Sequence, residues 1–137
     1  MKVELSRFRV KSGKSARVDE WLKMLNRNMG EIIPMLDREE MKLEVIFREM
    51  IGEEEYLYWF SVQGDTGSSA NADADYPVGQ QHVAFAEECL DHDFGMRDAQ
   101  PQVIMVPKVV AEAMGWENPP NSAVPFQRKE FIKLRGR

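Results

Sequence analysis

The chain has 137 residues, 43% of them hydrophobic and 30% charged, and its formal net charge at pH 7 is −5. These values are typical of one soluble globular domain, and no apolar run approaches the roughly 20 residues that span a bilayer. An acidic balance argues against nucleic acid as the main partner, because phosphate contacts need a basic surface. We therefore expect a soluble protein that binds neither nucleic acid nor a membrane.

The beginning of the chain and its cysteine content indicate a compartment. Charged residues occupy the N-terminus where a signal peptide would have its apolar stretch. The single cysteine, Cys89, excludes an internal disulfide and favours a reducing environment. We expect a cytoplasmic protein.

The first predicted elements are a strand over residues 3–10 and a long helix after the turn at residues 11–14. Ser15 is a candidate N-cap, and apolar residues recur behind it at helical spacing. The stripe comprises Val18, Leu22, Leu25, Met29, Ile32 or Ile33, and Leu36. Pro34 lacks a backbone donor and crowds the preceding turn, so it predicts a kink or break at that position.

Residues 41–62 predict a β-hairpin with a two-residue turn at Gly52 and Glu53. In this register Phe47 pairs with Tyr58, Val45 with Phe60 and Leu43 with Val62, which makes one face apolar throughout. The opposite face is mixed, and its pairs are Glu44–Ser61, Ile46–Trp59 and Arg48–Leu57. We expect the wholly apolar face to meet the helices and the mixed face to be open.

The second half of the chain begins with a polar loop over residues 64–77. A second helix is predicted over residues 78–90 with Val83, Ala86 and Leu90 inward, and the apolar run 102–106 predicts a fourth strand. The order strand, helix, strand, strand, helix, strand predicts an α+β, ferredoxin-like βαββαβ fold, a four-stranded antiparallel sheet with two helices on one face.

The C-terminal part differs in charge from the rest. Residues 108–137 carry six basic and three acidic residues, whereas the remainder has a net charge of −8. A short helix over residues 109–114 with Gly115 as its stop is predicted, followed by a strand or extended arm over 126–134. We divide the chain into a domain over residues 1–107 and a basic extension over 108–137 that packs on the body or on a dimer mate.

Three segments resemble a bacterial family of uncharacterised proteins that is similar in fold to the dimeric α/β-barrel superfamily. They are VELSRFRVKSGK at residues 3–14, VDEWL at 18–22 and YLYW at 56–59. The resemblance covers roughly residues 2–107. It implies a homodimer in which two sheets pack face to face, and it implies no known reaction.

The superfamily includes cofactor-free monooxygenases, heme-degrading enzymes and sugar mutarotases, so the fold alone does not decide the activity. Heme-degrading members use an Asn on strand 1, a Trp on strand 3 and a His on the second helix. Trp59 and His82 match two of these, but strand 1 has no asparagine and the first helix lacks the histidine of the mutarotases. We expect no cofactor.

Five residues are candidate ligand contacts: Arg7, Glu44, Arg48, Trp59 and His82. A carboxylate, a guanidinium and an indole on one face can orient a small molecule, and His82 and Glu44 are the candidate acid–base groups. The competing interpretation, which we favour, is that Glu44 and Arg48 pair across a dimer interface.

Other motifs are weaker. Asn71, Asp73 and Asp75 resemble the start of a calcium loop, but Tyr76 replaces the required Gly, so we expect no metal site. Glu87 and Glu88 disfavour a thiolate at Cys89.

Two functions remain open. The first is a small-molecule binding protein or cofactor-independent enzyme with a cleft between sheet and helices. The second is a non-catalytic homodimeric interaction module.

Overall fold

The computed structural model describes residues 1–66 and 76–119. The chain divides into two compact units, Met1–Ala99 and Gln100–Arg137. The first unit contains β1 (Lys2–Arg9), α1 (Ser15–Arg27), α2 (Met29–Arg38), β2 (Met41–Ile51), β3 (Glu54–Gln63), α3 (Pro77–Cys89) and β4 (Arg97–Ala99). The second contains α4 (Lys108–Met114).

The strands form one antiparallel sheet in the order β2-β3-β1-β4. The hairpin register is confirmed, since Phe47 pairs with Tyr58 and Val45 with Phe60. Gly52 adopts φ +62° in the turn, a conformation that glycine adopts without strain. The architecture is therefore α+β with a four-stranded antiparallel sheet.

The predicted assignment of the two hairpin faces is wrong. Leu57 is fully buried and Trp59 packs on Trp21 of α1, so the mixed face meets the helices. The wholly apolar face lies on the other side, where Leu43 is 43% and Phe47 53% exposed. We call this side, which carries Val3, Leu5, Leu43, Val45, Phe47, Tyr58 and Phe60, the open face.

The long first helix is interrupted six residues before the predicted position. Asn28 adopts non-helical dihedrals, and its side-chain amide donates to the carbonyl of Met24 (2.7 Å). Its own carbonyl accepts from the amides of Glu31 and Ile32, which start α2. Asparagine favours such a junction because its side chain competes with the backbone for hydrogen bonds. Pro34 lies inside α2.

The second predicted helix is confirmed as α3, and Ala86 and Leu90 lie on the core as predicted. Val78 and Cys89 are also buried, but Val83 is exposed rather than inward. His82 lies on the side of α3 that contacts Trp21.

The fourth strand is not at residues 102–106. It is Arg97–Ala99, which pairs with Leu5, Ser6 and Arg7 of β1. All three β4 residues are exposed, so the strand depends on backbone pairing and needs no apolar pattern. Residues 102–106 belong to the second unit, where Val103 and Met105 are exposed.

In the second unit the predicted short helix is confirmed, and Gly115 ends it with φ +70°. The calcium-like motif at Asn71, Asp73 and Asp75 and the arm at residues 126–134 lie outside the described residues. The packing of the basic extension therefore stays a prediction.

Candidate functional site

A pocket of about 540 Å³ lies between β2 and the helices α1, α2 and α3. This volume is within the range of ligand pockets, roughly 300–1,000 Å³. Most of its wall is apolar. The helices contribute Leu22, Leu25, Met29, Ile32, Ile33, Met35, Leu36 and Val78. β2 contributes Met41 and Ile46, together with Val45, whose position along the strand belongs to the open face.

Four polar side chains interrupt this apolar wall: Asn26, Glu39, Glu44 and His82. Among the described residues that line the pocket, none is Lys or Arg. Glu44 and His82 are the two residues that the sequence predicts as acid–base candidates, and the fold brings both to the same pocket.

Trp59 of β3 holds Glu44 in place. Its indole Nε1–H donates to Glu44 Oε1 at 2.7 Å across the β2–β3 pair. The indole packs edge-on against Phe8, with ring centroids 5.8 Å apart. A hydrogen bond to a carboxylate is stronger than one between neutral groups, so this contact fixes the orientation of Glu44.

Trp21 of α1 likewise fixes the orientation of His82. Trp21 is fully buried, and its Nε1–H donates to His82 Nδ1 at 3.0 Å. Because an indole nitrogen can only donate, Nδ1 must accept, and the neutral imidazole carries its proton on Nε2. The His82 ring also lies 5.5 Å from the Trp59 ring, centroid to centroid.

The two tryptophans connect these polar groups. Their ring centroids are 5.6 Å apart, so the donors that hold Glu44 and His82 belong to one aromatic cluster in the core. A carboxylate and an imidazole positioned in one apolar pocket are the groups that general base and general acid catalysis use. The same pair can orient a bound molecule without any reaction.

Arg48, predicted as a ligand contact, does not line this pocket among the described residues. It donates to Asp19, to the carbonyl and hydroxyl of Ser15, and to Glu55. These groups lie at the start of α1 and on β3. The pairing of Glu44 with Arg48 across a dimer interface is therefore wrong, because this face packs on the chain's own helices.

Arg7 is also absent from the pocket. In the strand register Arg7 lies opposite Tyr58 of β3 and Arg97 of β4, and it is two residues from Leu5 on β1. Its side chain therefore projects from the open face, opposite the helices. Of the five predicted ligand contacts, the structure therefore brings together Glu44, Trp59 and His82 and separates Arg7 and Arg48.

Trp21, Asn26 and Glu39 are the parts of the site that sequence reasoning missed. Trp21 lies beside the apolar stripe of α1 and widens its apolar face, and an indole at such a position predicts packing only. Its role as a donor depends on His82, which is distant in sequence and becomes its neighbour only when α1 and α3 pack together.

Cys89 fits a structural role. It is fully buried, and burial is the main cause that raises the pKa of its thiol, with the charge of Glu88 next. Within residues 1–66 and 76–119, no three His, Cys, Asp or Glu side chains cluster in a way that could hold a metal ion. No helix in these ranges is long and apolar enough to cross a membrane.

Comparison with known proteins identifies a family but no activity. A family model whose description is a family of unknown function matches residues 1–112. No curated protein matches the chain.

Proposed function

We propose that this chain, which belongs to the family of unknown function DUF6176, binds a small apolar molecule in the pocket between β2 and helices α1–α3. One observation carries the proposal. The pocket has an apolar wall into which two ionisable side chains, Glu44 and His82, are each positioned by a tryptophan N–H. A packed core needs no such arrangement, whereas a binding site uses a few fixed polar groups for orientation.

The chemistry of the lining indicates the kind of ligand. The polar part of the described lining consists of Asn26, Glu39, Glu44 and His82, and it contains no Lys or Arg. These groups favour a ligand with hydroxyl or amine donors on an apolar body over a carboxylate or a phosphate.

Nile red, a neutral apolar dye, tests the binding. We expect its emission to rise when it enters the pocket, and Ile33→Asp should abolish the rise because Ile33 lines the pocket and is exposed at its edge. Val83→Asp is the matched control, since Val83 is also an exposed apolar helix residue but does not line this pocket. No emission change in the wild type, or equal loss in both variants, would contradict the proposal.

A second candidate function is cofactor-independent proton transfer on the bound molecule, with Glu44 as base and the Nε2–H of His82 as donor. A metabolite library is first screened by thermal shift. Compounds that raise the melting temperature are then incubated with the protein and checked for conversion by mass spectrometry. Conversion that Glu44→Gln abolishes supports catalysis, and stabilisation without conversion leaves binding as the function.

We also propose a ferredoxin-like domain that forms a homodimer through the open face, in the cytoplasm. The strand order β2-β3-β1-β4 with three helices on one face supports the fold. Exposed Leu43 and Phe47, flanked by Val45, Leu5 and Phe60, form an apolar patch of the kind that marks association. Ile46, Leu57 and Trp59 belong to the mixed hairpin face, which was expected to be open; they are internal and do not contribute.

Light scattering tests the dimer against the monomer mass of 15.8 kDa. We expect Phe47→Asp to yield monomers, because a charge in the centre of an apolar interface is desolvated without a partner. Met50→Asp is the control on the same strand, since Met50 is equally exposed but in the opposite phase. A monomeric wild type at micromolar concentration would refute the dimer.

A further inference from the structure

Two arginines face each other on adjacent strands at the β4 edge of the sheet. Arg7 of β1 and Arg97 of β4 are directly paired, and both side chains are exposed. Residues paired in this way project from the same face, here the open face. Two positive charges on paired residues repel each other, so another interaction must offset this repulsion.

An aromatic ring keeps the two guanidinium groups together. The Arg97 guanidinium carbon lies 4.1 Å from the centre of the Phe94 ring, and that of Arg7 lies 5.8 Å from the same centre. Arg7 is also 5.7 Å from the ring of Tyr56, and Arg97 Nε donates to the carbonyl of Phe94. Cations over ring faces are attracted to them, and the rings limit where the guanidinium groups can go.

The neighbouring Arg9 differs from this pair because it contacts acidic side chains. Arg9 also lies over Phe94, at 5.1 Å, but it donates to Asp91 at 2.6 Å and is 3.9 Å from Glu54. Within the described ranges, neither Arg7 nor Arg97 forms an ion pair with a carboxylate. Arg7 hydrogen-bonds Tyr58, whose hydroxyl donates to Glu49 at 2.6 Å. Among the described residues, the pair therefore meets this acid only through a tyrosine.

We propose that Arg7 and Arg97 form a binding site for a phosphate dianion, on the face of the sheet opposite the pocket. A guanidinium presents a planar fork of donors that matches phosphate oxygens, and two of them match a charge of −2. The adjacent Phe94 and Tyr56 rings fit the organic part of an aromatic phosphate ester. This site is independent of the small-molecule pocket and goes beyond the function proposed for it.

The melting temperature of the full chain is measured in phosphate and in chloride at equal ionic strength. We expect a rise of about 5 °C at a phosphate concentration about ten times its Kd. Arg97→Gln and Arg7→Gln should abolish the rise, and in chloride each should melt at or above the wild-type temperature, because the like-charge contact is gone. Arg27→Gln is the control, since Arg27 is exposed on α1 and, among the described residues, its side chain hydrogen-bonds only the carbonyl of Lys23.

Phenyl phosphate is the second probe and distinguishes free phosphate from a phosphate ester. Tighter binding than inorganic phosphate assigns the site to an aromatic ester, and equal binding assigns it to phosphate itself. No stabilisation of the wild type, or the same loss in Arg27→Gln, would overturn the proposal. So would dissociation of dimers in Arg97→Gln with no phosphate effect, because a carboxylate of a second copy would then balance the charge.

Discussion

Arg48 has a structural role in this fold, and substituting it tests the fold directly. Glu55 is only 7% exposed, and its Oε1 accepts from Ser15 Oγ at 2.6 Å and from Arg48 Nη2 at 3.2 Å. Glu55 Oε2 is buried with no hydrogen-bond partner among the described residues. Arg48→Met would leave this carboxylate buried without its counter-charge.

The magnitude follows from the burial of the two partners. Removing one member of a fully buried ion pair costs about 3–5 kcal/mol. The Arg48 side chain is 30% exposed, so water screens part of the interaction, and we expect a loss of about 2 kcal/mol in the free energy of unfolding. With an unfolding entropy of about 290 cal/mol/K for a chain of this length, the melting temperature should fall by about 7 °C.

Urea denaturation followed by circular dichroism measures this loss, and a double-mutant cycle with Glu55→Gln isolates the pair. The double variant should lose less stability than the two single variants added together, because neither charge is then left unpaired. Arg27→Met is the control and should change stability by less than about 0.5 kcal/mol. Unchanged stability of Arg48→Met, or additive effects, would refute the reasoning. Loss of Nile red binding at unchanged stability would restore Arg48 as a ligand contact.

Three further outcomes are expected. Trp59→Phe keeps an aromatic ring but removes the donor to Glu44, so urea denaturation should show a loss of about 1.5–3 kcal/mol, and an unchanged midpoint would contradict this contact. Asn28→Ala should cost about 1 kcal/mol by the same assay, because the junction of α1 and α2 loses its side-chain hydrogen bond. The hydrogen bond from Arg9 holds the pKa of Asp91 below its usual value, so this carboxylate stabilises the fold above its unfolded pKa and stops doing so as pH falls through the lower folded value. The difference in melting temperature between wild type and Asp91→Asn should therefore shrink on acidification from about pH 6 to about pH 2.5, and a constant difference would contradict it.

Rules that depend on only a few adjacent residues correctly predicted two features of the fold, the hairpin register and the end of α4. The register of the β2–β3 hairpin follows from a two-residue turn with glycine at positive φ. The end of α4 follows from Gly115 in the same way. In both cases the backbone conformation of a few adjacent residues determines the outcome, and the sequence contains all of them.

The choice of sheet face needed information that is not local. Both phases of the hairpin carry large apolar residues, so a period of two identifies two faces without saying which one the helices cover. That choice depends on how Trp59 and Leu57 fit the side chains that α1 and α3 present, above all Trp21. The more uniformly apolar face remained open as a result.

The sequence by itself determined the α+β class, the hairpin register, α3 and the candidates Glu44, Trp59 and His82. Only the tertiary structure decided which candidates share a site, because Trp21 and His82 are 61 positions apart and meet where α1 packs on α3. It also placed β4 at an exposed edge, where backbone hydrogen bonds to β1 define a strand that no hydrophobic pattern marks. The periodicity of apolar side chains indicates which residues are buried. It therefore gives no signal for β4 or for the paired arginines Arg7 and Arg97, because these residues are exposed.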